Sequence, residues 1–159
     1  MADAAAWLEA SLLARFLRSG PWLYPLVNLA HLLGIALLVG AIAALDLRLV
    51  GLWPGVPVAA LARATLPVAG AGLALALSTG PALFAVKATE YVGNPFLWAK
   101  FGAVAVGLAN LAALHRSAAW RDVGEGEGRR VRRRLALAGA VSLAAWVAAV
   151  SAGRMIAYW

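Results

Sequence analysis

The sequence predicts an all-α integral membrane protein, an antiparallel four-helix bundle preceded by an N-terminal interfacial helix. Of its 159 residues, 64% are hydrophobic and 13% are charged, and the mean hydropathy is +0.82. Soluble domains carry about 25% charged residues. Four long apolar stretches also alternate with short polar segments, and about 20 apolar residues suffice for a helix to cross a bilayer. The chain is therefore expected to be one transmembrane domain, residues 1–159.

The first predicted span, residues 22–46, is the stretch around which the others are expected to assemble. Its uncharged run, Leu23–Leu45, holds one side chain that can carry a positive charge, His31. Asn28 precedes His31 by three residues, and Gly34 follows it and is expected to leave room beside the ring. Because a polar group in lipid needs a partner, this helix should pack against other helices.

The remaining elements follow from hydropathy and local charge. The N-terminal segment is too short and too charged to span, so it is expected to lie on the membrane surface, with Asp3 as its N-cap. In the second span Gly72, Ala76 and Gly80 recur every four residues, which favours close approach of a neighbouring backbone. The interfacial helix is predicted over 4–18, and the three later spans over 62–86, 95–115 and 135–158. A polar loop over 87–94 and a basic loop over 116–134 connect these spans.

The distribution of lysine and arginine predicts the orientation. Seven of the 14 basic residues lie between Arg116 and Arg134, and Arg48 and Arg63 fall on the same side. Cytoplasmic loops carry such an excess, so both termini are expected outside the cytoplasm. The formal charge of +7 is explained by this topology and by anionic lipid. The bilayer is thus the expected partner, and nucleic acid is not.

Three spans bring polar side chains into the outer half of the bundle. At helical rise His31 lies about 13 Å below the outer boundary, and Lys100 and Arg154 lie about 7 Å below it. Such a set can hold a haem b or a quinone, with His31 as ligand or hydrogen-bond donor and the cations beside acidic substituents. His31 would be a metal ligand only if haem is bound. The predicted binding residues are His31, Lys100, Arg154, Asn28, Trp98 and Tyr158.

Geometry restricts the haem interpretation. His115 is expected about 17 Å deeper than His31, so the two histidines cannot share one haem within a monomer. A haem would need a different second ligand or His31 from each subunit of a homodimer. The alternative is a structural or accessory subunit in which His31 only bonds another helix and the two cations extend to the headgroups. A small-solute transporter is a third interpretation, and any redox partner is unidentified.

The inner ends of the spans carry a second polar cluster. Asp46 closes the first span, and Asn110 and His115 lie near the end of the third. A carboxylate near lipid is expected to pair with a cation, here Arg48, Arg63 or Arg116, and to fix the helix ends. The chain has no cysteine, HExxH, GxSxG or P-loop, so no catalytic residue is predicted and an enzymatic role stays open.

Several segments resemble a family of small bacterial four-span inner-membrane proteins that is classed as a domain of unknown function. The similar segments are YPLVNLAHLLGIALLVGAIAALDLRLVG, NPFLWAK, SLAAW and GRMIAYW, in which HLLG, DLRL and GRMIAY are the most specific pieces. The resemblance implies a multi-pass protein of the bacterial inner (plasma) membrane. The early histidine and the four helices are also loosely similar to copper-resistance D and cytochrome b561 type bundles.

Overall fold

The computed structural model describes residues 2–121, 123 and 128–159, and within these ranges the chain forms helices and no strands. The centre of the predicted basic loop, residues 124–127, lies outside this description. The helices are α1 Ala2–Glu9, α2 Leu12–Ser19, α3 Leu23–Val50, α4 Val58–Val86, α5 Ala88–Val92, α6 Pro95–His115, α7 Ala118–Arg121 and α8 Arg129–Met155, and a 3-10 turn, Ile156–Tyr158, follows α8.

Four of these helices are long and apolar enough to cross a membrane: α3, α4, α6 and α8 with its 3-10 turn. Their most apolar windows have a mean hydropathy of 1.6 to 2.2, and at most 33% of each window is buried inside the protein. Leu32 and Leu33 of α3, for example, are 57% and 53% exposed. Large apolar side chains that point outward along whole helices belong in lipid. The predicted all-α four-span bundle is confirmed.

The helices extend beyond the stretches that hydropathy marks. Helix α3 continues to Val50, α4 begins at Val58, and α8 begins at Arg129, so the arginine run forms the first turns of the last helix. Arginine is a good helix former, so a helix can continue through an arginine run. Hydropathy detects only the apolar portion of each helix, which is the portion that can lie in lipid. The N-terminal segment is divided in two at Ser11, whose hydroxyl caps α2 by accepting from the Ala14 amide at 3.2 Å. Helix α5 lies within the predicted polar loop.

The spanning helices pack in the order α4, α3, α8, α6. Helix α3 contacts α4 and α8, and α6 packs on α8, whereas α4 and α6 are not closely packed in the described residues. Leu38, Ile42, Ala69 and Trp146 form the central cluster, against which Leu108 of α6 packs. The bundle therefore has three close helix contacts, and between α4 and α6 the backbones lie further apart with side chains between them.

Glycines create the close helix contacts. A Cβ atom on Gly72 would lie 2.5 Å from the Leu38 amide nitrogen and 2.6 Å from the Gly34 carbonyl oxygen. On α8, a Cβ on Gly139 would lie 2.8 Å from the Asp46 carbonyl oxygen. The expected close approach at Gly72 is confirmed. Gly34, however, contacts the α4 backbone, and the glycine beside the His31 ring is Gly80.

The N-terminal hairpin α1–α2 docks on the junction of α4 and α5. One carboxylate oxygen of Glu9 accepts from the Thr89 amide at 2.9 Å and from the Thr89 hydroxyl at 2.8 Å. Arg18 donates to the Val86 carbonyl at 2.9 Å. Ala5 and Leu17 are buried beneath these contacts, 2% and 3% exposed. The hairpin is thus held by polar contacts at its edge and small apolar contacts below.

Acidification is expected to loosen this hairpin. The hydrogen bonds from Thr89 hold the pKa of Glu9 below its ordinary value of 4.5. Because this pKa is lowered in the folded state, the carboxylate stabilises docking above pH 4.5, and the contribution is lost as the pH falls through the lowered pKa. The protection factors of the α1 amides, which are corrected for the pH dependence of intrinsic exchange, should fall over that range. In Glu9→Gln the acid-induced step should be absent, whereas Asp3→Asn should retain it; an unchanged step in Glu9→Gln would contradict the assignment.

Candidate functional site

The site that the sequence predicts in the outer half, hereafter the outer site, is built on a hydrogen bond between α3 and α4. Nδ1 of His31 lies 2.9 Å from Oγ1 of Thr79, and that hydroxyl lies 2.6 Å from the Leu75 carbonyl of its own helix. Thr79 has one proton and gives it to the closer carbonyl, so it accepts from the Nδ1–H of His31. The neutral ring therefore carries its lone pair on Nε2. Gly80 accommodates the ring, since a Cβ there would lie 3.2 Å from Cε1 of His31.

The ring of the half-buried His31 also lies within hydrogen-bonding reach of the Ala76 backbone, and no hydrogen bond of its Nε2 atom is seen among residues 2–121, 123 and 128–159. Lys100 of α6 lies close enough for its charge to act on the imidazole. Its aliphatic stem runs along Gly153 of α8, where a Cβ would lie 3.6 Å from Cδ of Lys100. Helices α4 and α6 thus contribute to the surroundings of His31, α8 supports Lys100, and the ring offers one acceptor nitrogen within range of a cation.

The other predicted site residues occupy separate positions. Arg154 donates to the Tyr158 hydroxyl at 2.5 Å and also lies over its ring, 4.8 Å from the centroid. Tyr158 is 67% exposed, so this pair faces outward. Trp98 is exposed and donates to the Val92 carbonyl at 3.1 Å. Asn28 is half-buried one turn before His31. The structure places Lys100 within electrostatic range of His31, without a hydrogen bond between them in the described residues, and pairs Arg154 with Tyr158.

Asp46 lacks the arginine partner that the sequence predicts. It is 5% exposed, its carboxyl group faces the Ser142 hydroxyl, and its Oδ2 atom has no hydrogen-bond partner. Arg48 instead donates to the Val56 and Pro54 carbonyls of the following loop, at 2.5 and 3.2 Å. The prediction is wrong because residues two apart lie on different sides of a helix, and the loop carbonyls are within reach of Arg48. Arg63 and Arg116, the other predicted partners, are exposed.

A cavity of about 130 Å³ lies beside this carboxyl group, between the halves of the spanning helices that the sequence predicts to be the inner ones. Asn110 and His115, both expected in the inner cluster, line it together with Ser142, Trp146 and several leucines. The Asn110 amide nitrogen donates to the Ala138 carbonyl at 2.9 Å, which leaves its side-chain oxygen available. Nδ1 of His115 lies 3.0 Å from the Leu111 carbonyl of its own helix.

Sequence reasoning missed Ser142 and Trp146 at this cavity and Thr79 at the outer site. Ser142 had a usable signal, because it is a polar residue of the fourth span at the depth of Asp46. Thr79 offered none, since a threonine in an apolar helix commonly bonds its own backbone. In the described part of the chain, no group of three or more histidine, aspartate or glutamate residues could hold a metal ion.

Comparisons with family models, with curated proteins and with solved structures find no match. The conclusion therefore rests on the chain's own residues. The protein is a multi-pass membrane protein with a four-helix bundle, and its candidate sites are one imidazole in the half nearer the α1–α2 hairpin and one carboxyl group in the opposite half.

Proposed function

We propose that the protein binds a redox-active ring, a haem b or a quinone, through Nε2 of His31. The supporting observation is the hydrogen bond that commits Nδ1–H to Thr79. Histidines that ligate iron donate their other N–H to a second group in this way, which fixes the ring and raises its basicity. The same lone pair can accept the hydroxyl proton of a quinol. Either ligand would be held at the edge of the bundle where α4 and α6 are not closely packed.

A quinone is the ligand that the surroundings of His31 favour. A haem with two protein ligands needs a second axial ligand, and the only other histidine, His115, belongs to the inner cavity. The reduced form, a quinol, needs an acceptor at each hydroxyl, which Nε2 of His31 provides for one of them, and Lys100 supplies a positive charge that would stabilise a deprotonated, anionic ring. Quinones also dissolve in lipid, from which they could reach the edge of the bundle beside α4. A haem would be favoured in a homodimer that supplies His31 twice.

Extraction of ligand from the purified protein tests this proposal. Wild-type protein in detergent should carry quinone, which organic extraction and mass spectrometry detect. The amount of quinone bound per protein should be at least about tenfold lower in His31→Ala. Thr79→Val should also lose quinone, because the ring is no longer oriented. Ser78→Ala is the matched control, since that exposed hydroxyl bonds only the Leu75 carbonyl of its own helix. A Soret band that disappears in His31→Ala would identify haem instead.

A structural or accessory role without a cofactor is the second candidate function. The hydrogen bond between His31 and Thr79 supports this role as well. His31 joins α3 to α4 through Thr79 while its ring packs on Gly80, so it can serve only to fix the two helices. A colourless, quinone-free wild-type protein would support this role, together with a loss of about 1–2 kcal/mol of stability in Thr79→Val. Transport of a small solute, the third interpretation, has its support at the inner cavity.

The proposal includes the location of the site. The basic residues from Arg116 to Arg134, with Arg48 and Arg63, support a bacterial inner-membrane protein with these segments in the cytoplasm and both termini outside. His31 would then face the outer half of the bilayer. Because the chain has no cysteine, Arg121→Cys would be the only thiol. Its labelling by an impermeant maleimide in intact cells would contradict this orientation.

A further inference from the structure

We propose that the cavity between the inner halves of the helices binds a small monovalent cation, with Asp46 as its counter-charge. This site is separate from the one at His31 and does not depend on it. Asp46 lines the cavity, is 5% exposed, and its Oδ2 atom has no hydrogen-bond partner in the described residues. A buried carboxyl oxygen without a partner is a rare feature that calls for a ligand or a functional explanation.

No lysine or arginine of the described ranges lies within ion-pair distance of Asp46. The nearest arginine in sequence, Arg48, is turned to the carbonyls of the α3–α4 loop. A carboxylate in a nonpolar environment requires a compensating charge, because its desolvation is otherwise uncompensated. Since no fixed cation provides this charge, a mobile cation in the adjacent cavity is the remaining source for an ionised Asp46.

The lining of the cavity suits such a cation. Oxygen atoms are available from the carboxyl group of Asp46, the hydroxyl of Ser142 and the side-chain carbonyl of Asn110, and hard metal cations prefer oxygen ligands. Trp146 and Trp120 add aromatic rings, which attract organic ammonium groups. At roughly 30 Å³ per water, the volume of about 130 Å³ equals that of about four waters, so it accepts a partly dehydrated Na⁺ or a methylammonium ion but is too small for a cation such as N-methyl-D-glucamine.

The packing around the cavity gives the site one rigid side. Gly139 brings the α8 backbone against the Asp46 carbonyl, because a Cβ on Gly139 would lie 2.8 Å from it. This crossing holds Ser142, one turn further along α8, against the carboxyl group. On the opposite side α4 and α6 are not closely packed, so a cation can enter there without separating α3 from α8.

Binding can be measured on the full-length protein in detergent or nanodiscs at constant ionic strength. The probes are NaCl, KCl and methylammonium chloride, each replacing N-methyl-D-glucamine chloride, whose cation is too large for the cavity. At least one probe should raise the unfolding temperature in a saturable way and change tryptophan fluorescence. Comparing NaCl and KCl with methylammonium chloride shows whether the site prefers an inorganic or an organic cation.

Asp46→Asn should abolish the saturable effect, and Ser142→Ala should weaken the affinity about tenfold. The matched control is Glu90→Gln, which removes an exposed carboxylate that pairs with Lys87 at 2.9 Å and should leave binding unchanged. If Asp46→Asn does not fold, the cation affinity of Ser142→Ala still tests the proposal. The proposal is overturned if none of the cations has a saturable effect, if Ser142→Ala binds as wild type, or if infrared spectra show a protonated Asp46 that no cation ionises.

Discussion

Replacing Gly72 with alanine is expected to destabilise the bundle by about 2–3 kcal/mol, although alanine is the better helix former. The added Cβ would lie 2.5 Å from the Leu38 amide nitrogen and 2.6 Å from the Gly34 carbonyl oxygen. Both atoms belong to the backbone of α3, so no side-chain rotation can relieve the overlap. The two helices must separate, and the contact between α3 and α4 is weakened along its length.

Unfolding of the purified protein by SDS in mixed micelles, followed by far-UV circular dichroism, measures this effect. Gly70→Ala is the matched control, because Gly70 lies two residues earlier on α4 and a Cβ there meets nothing within 4 Å. Relative to glycine, alanine in a helix gains about 0.5–1 kcal/mol, so the control should be unchanged or more stable. Equal shifts in the two variants would show that the close contact at Gly72 contributes nothing.

The same substitution should also affect the outer site. Thr79 and Gly80 lie about two turns after Gly72 on α4, and they hold the His31 ring from the side of that helix. A helix that moves outward at Gly72 lengthens the bond between Nδ1 of His31 and the Thr79 hydroxyl. The Gly72→Ala protein should therefore retain less ligand at His31 than the Gly70→Ala protein, even where both are folded.

The number of spans could be predicted from the sequence, whereas the neighbours of each span could not. Hydropathy distinguishes lipid-crossing stretches from loops, but lipid is as apolar as the interior of the bundle, so the inward face carries no hydrophobic signal. The small residues Gly72 and Gly80 did predict a close contact. They did not say that Gly72 meets α3 at Gly34 and Leu38 while α4 and α6 stay apart.

The candidate sites were predictable to the same limited degree. Depth along the helices suggested that His31 and Lys100 share the outer half, and the charge of Lys100 does reach the ring. Depth could not predict that Arg154 turns to Tyr158, because that pairing depends on the final turns after α8. The cavity beside Asp46 is a gap between helices that do not fit together fully, and such gaps depend on packing that no single helix encodes.

Replacing Asp46 with leucine is expected to stabilise the folded protein by about 1–3 kcal/mol in the absence of a bound cation. The substitution removes the unpartnered Oδ2 atom, and the larger side chain can extend into the adjacent cavity of about 130 Å³. Ser142 can then donate to a carbonyl of its own helix, as serines in apolar helices do. Asp46→Asn, which is nearly isosteric, should change stability less than Asp46→Leu because it keeps a buried polar group.

The measurement is the same SDS unfolding experiment, made in N-methyl-D-glucamine chloride and repeated with the cation that binds best. Leu45→Ala is the control at a neighbouring position that is 4% exposed. Its free energy of unfolding should fall by about 2–5 kcal/mol, because the substitution creates a cavity without removing a polar group. Because a ligand that binds only the folded state stabilises it, the wild type should approach Asp46→Leu as cation is added, while Asp46→Leu should not respond. This result would show that Asp46 lowers the stability of the cation-free protein and that a bound cation restores it, which identifies Asp46 as a binding residue. If Asp46→Leu is instead less stable than wild type in cation-free buffer, Asp46 is a structural residue whose partner is already within the protein.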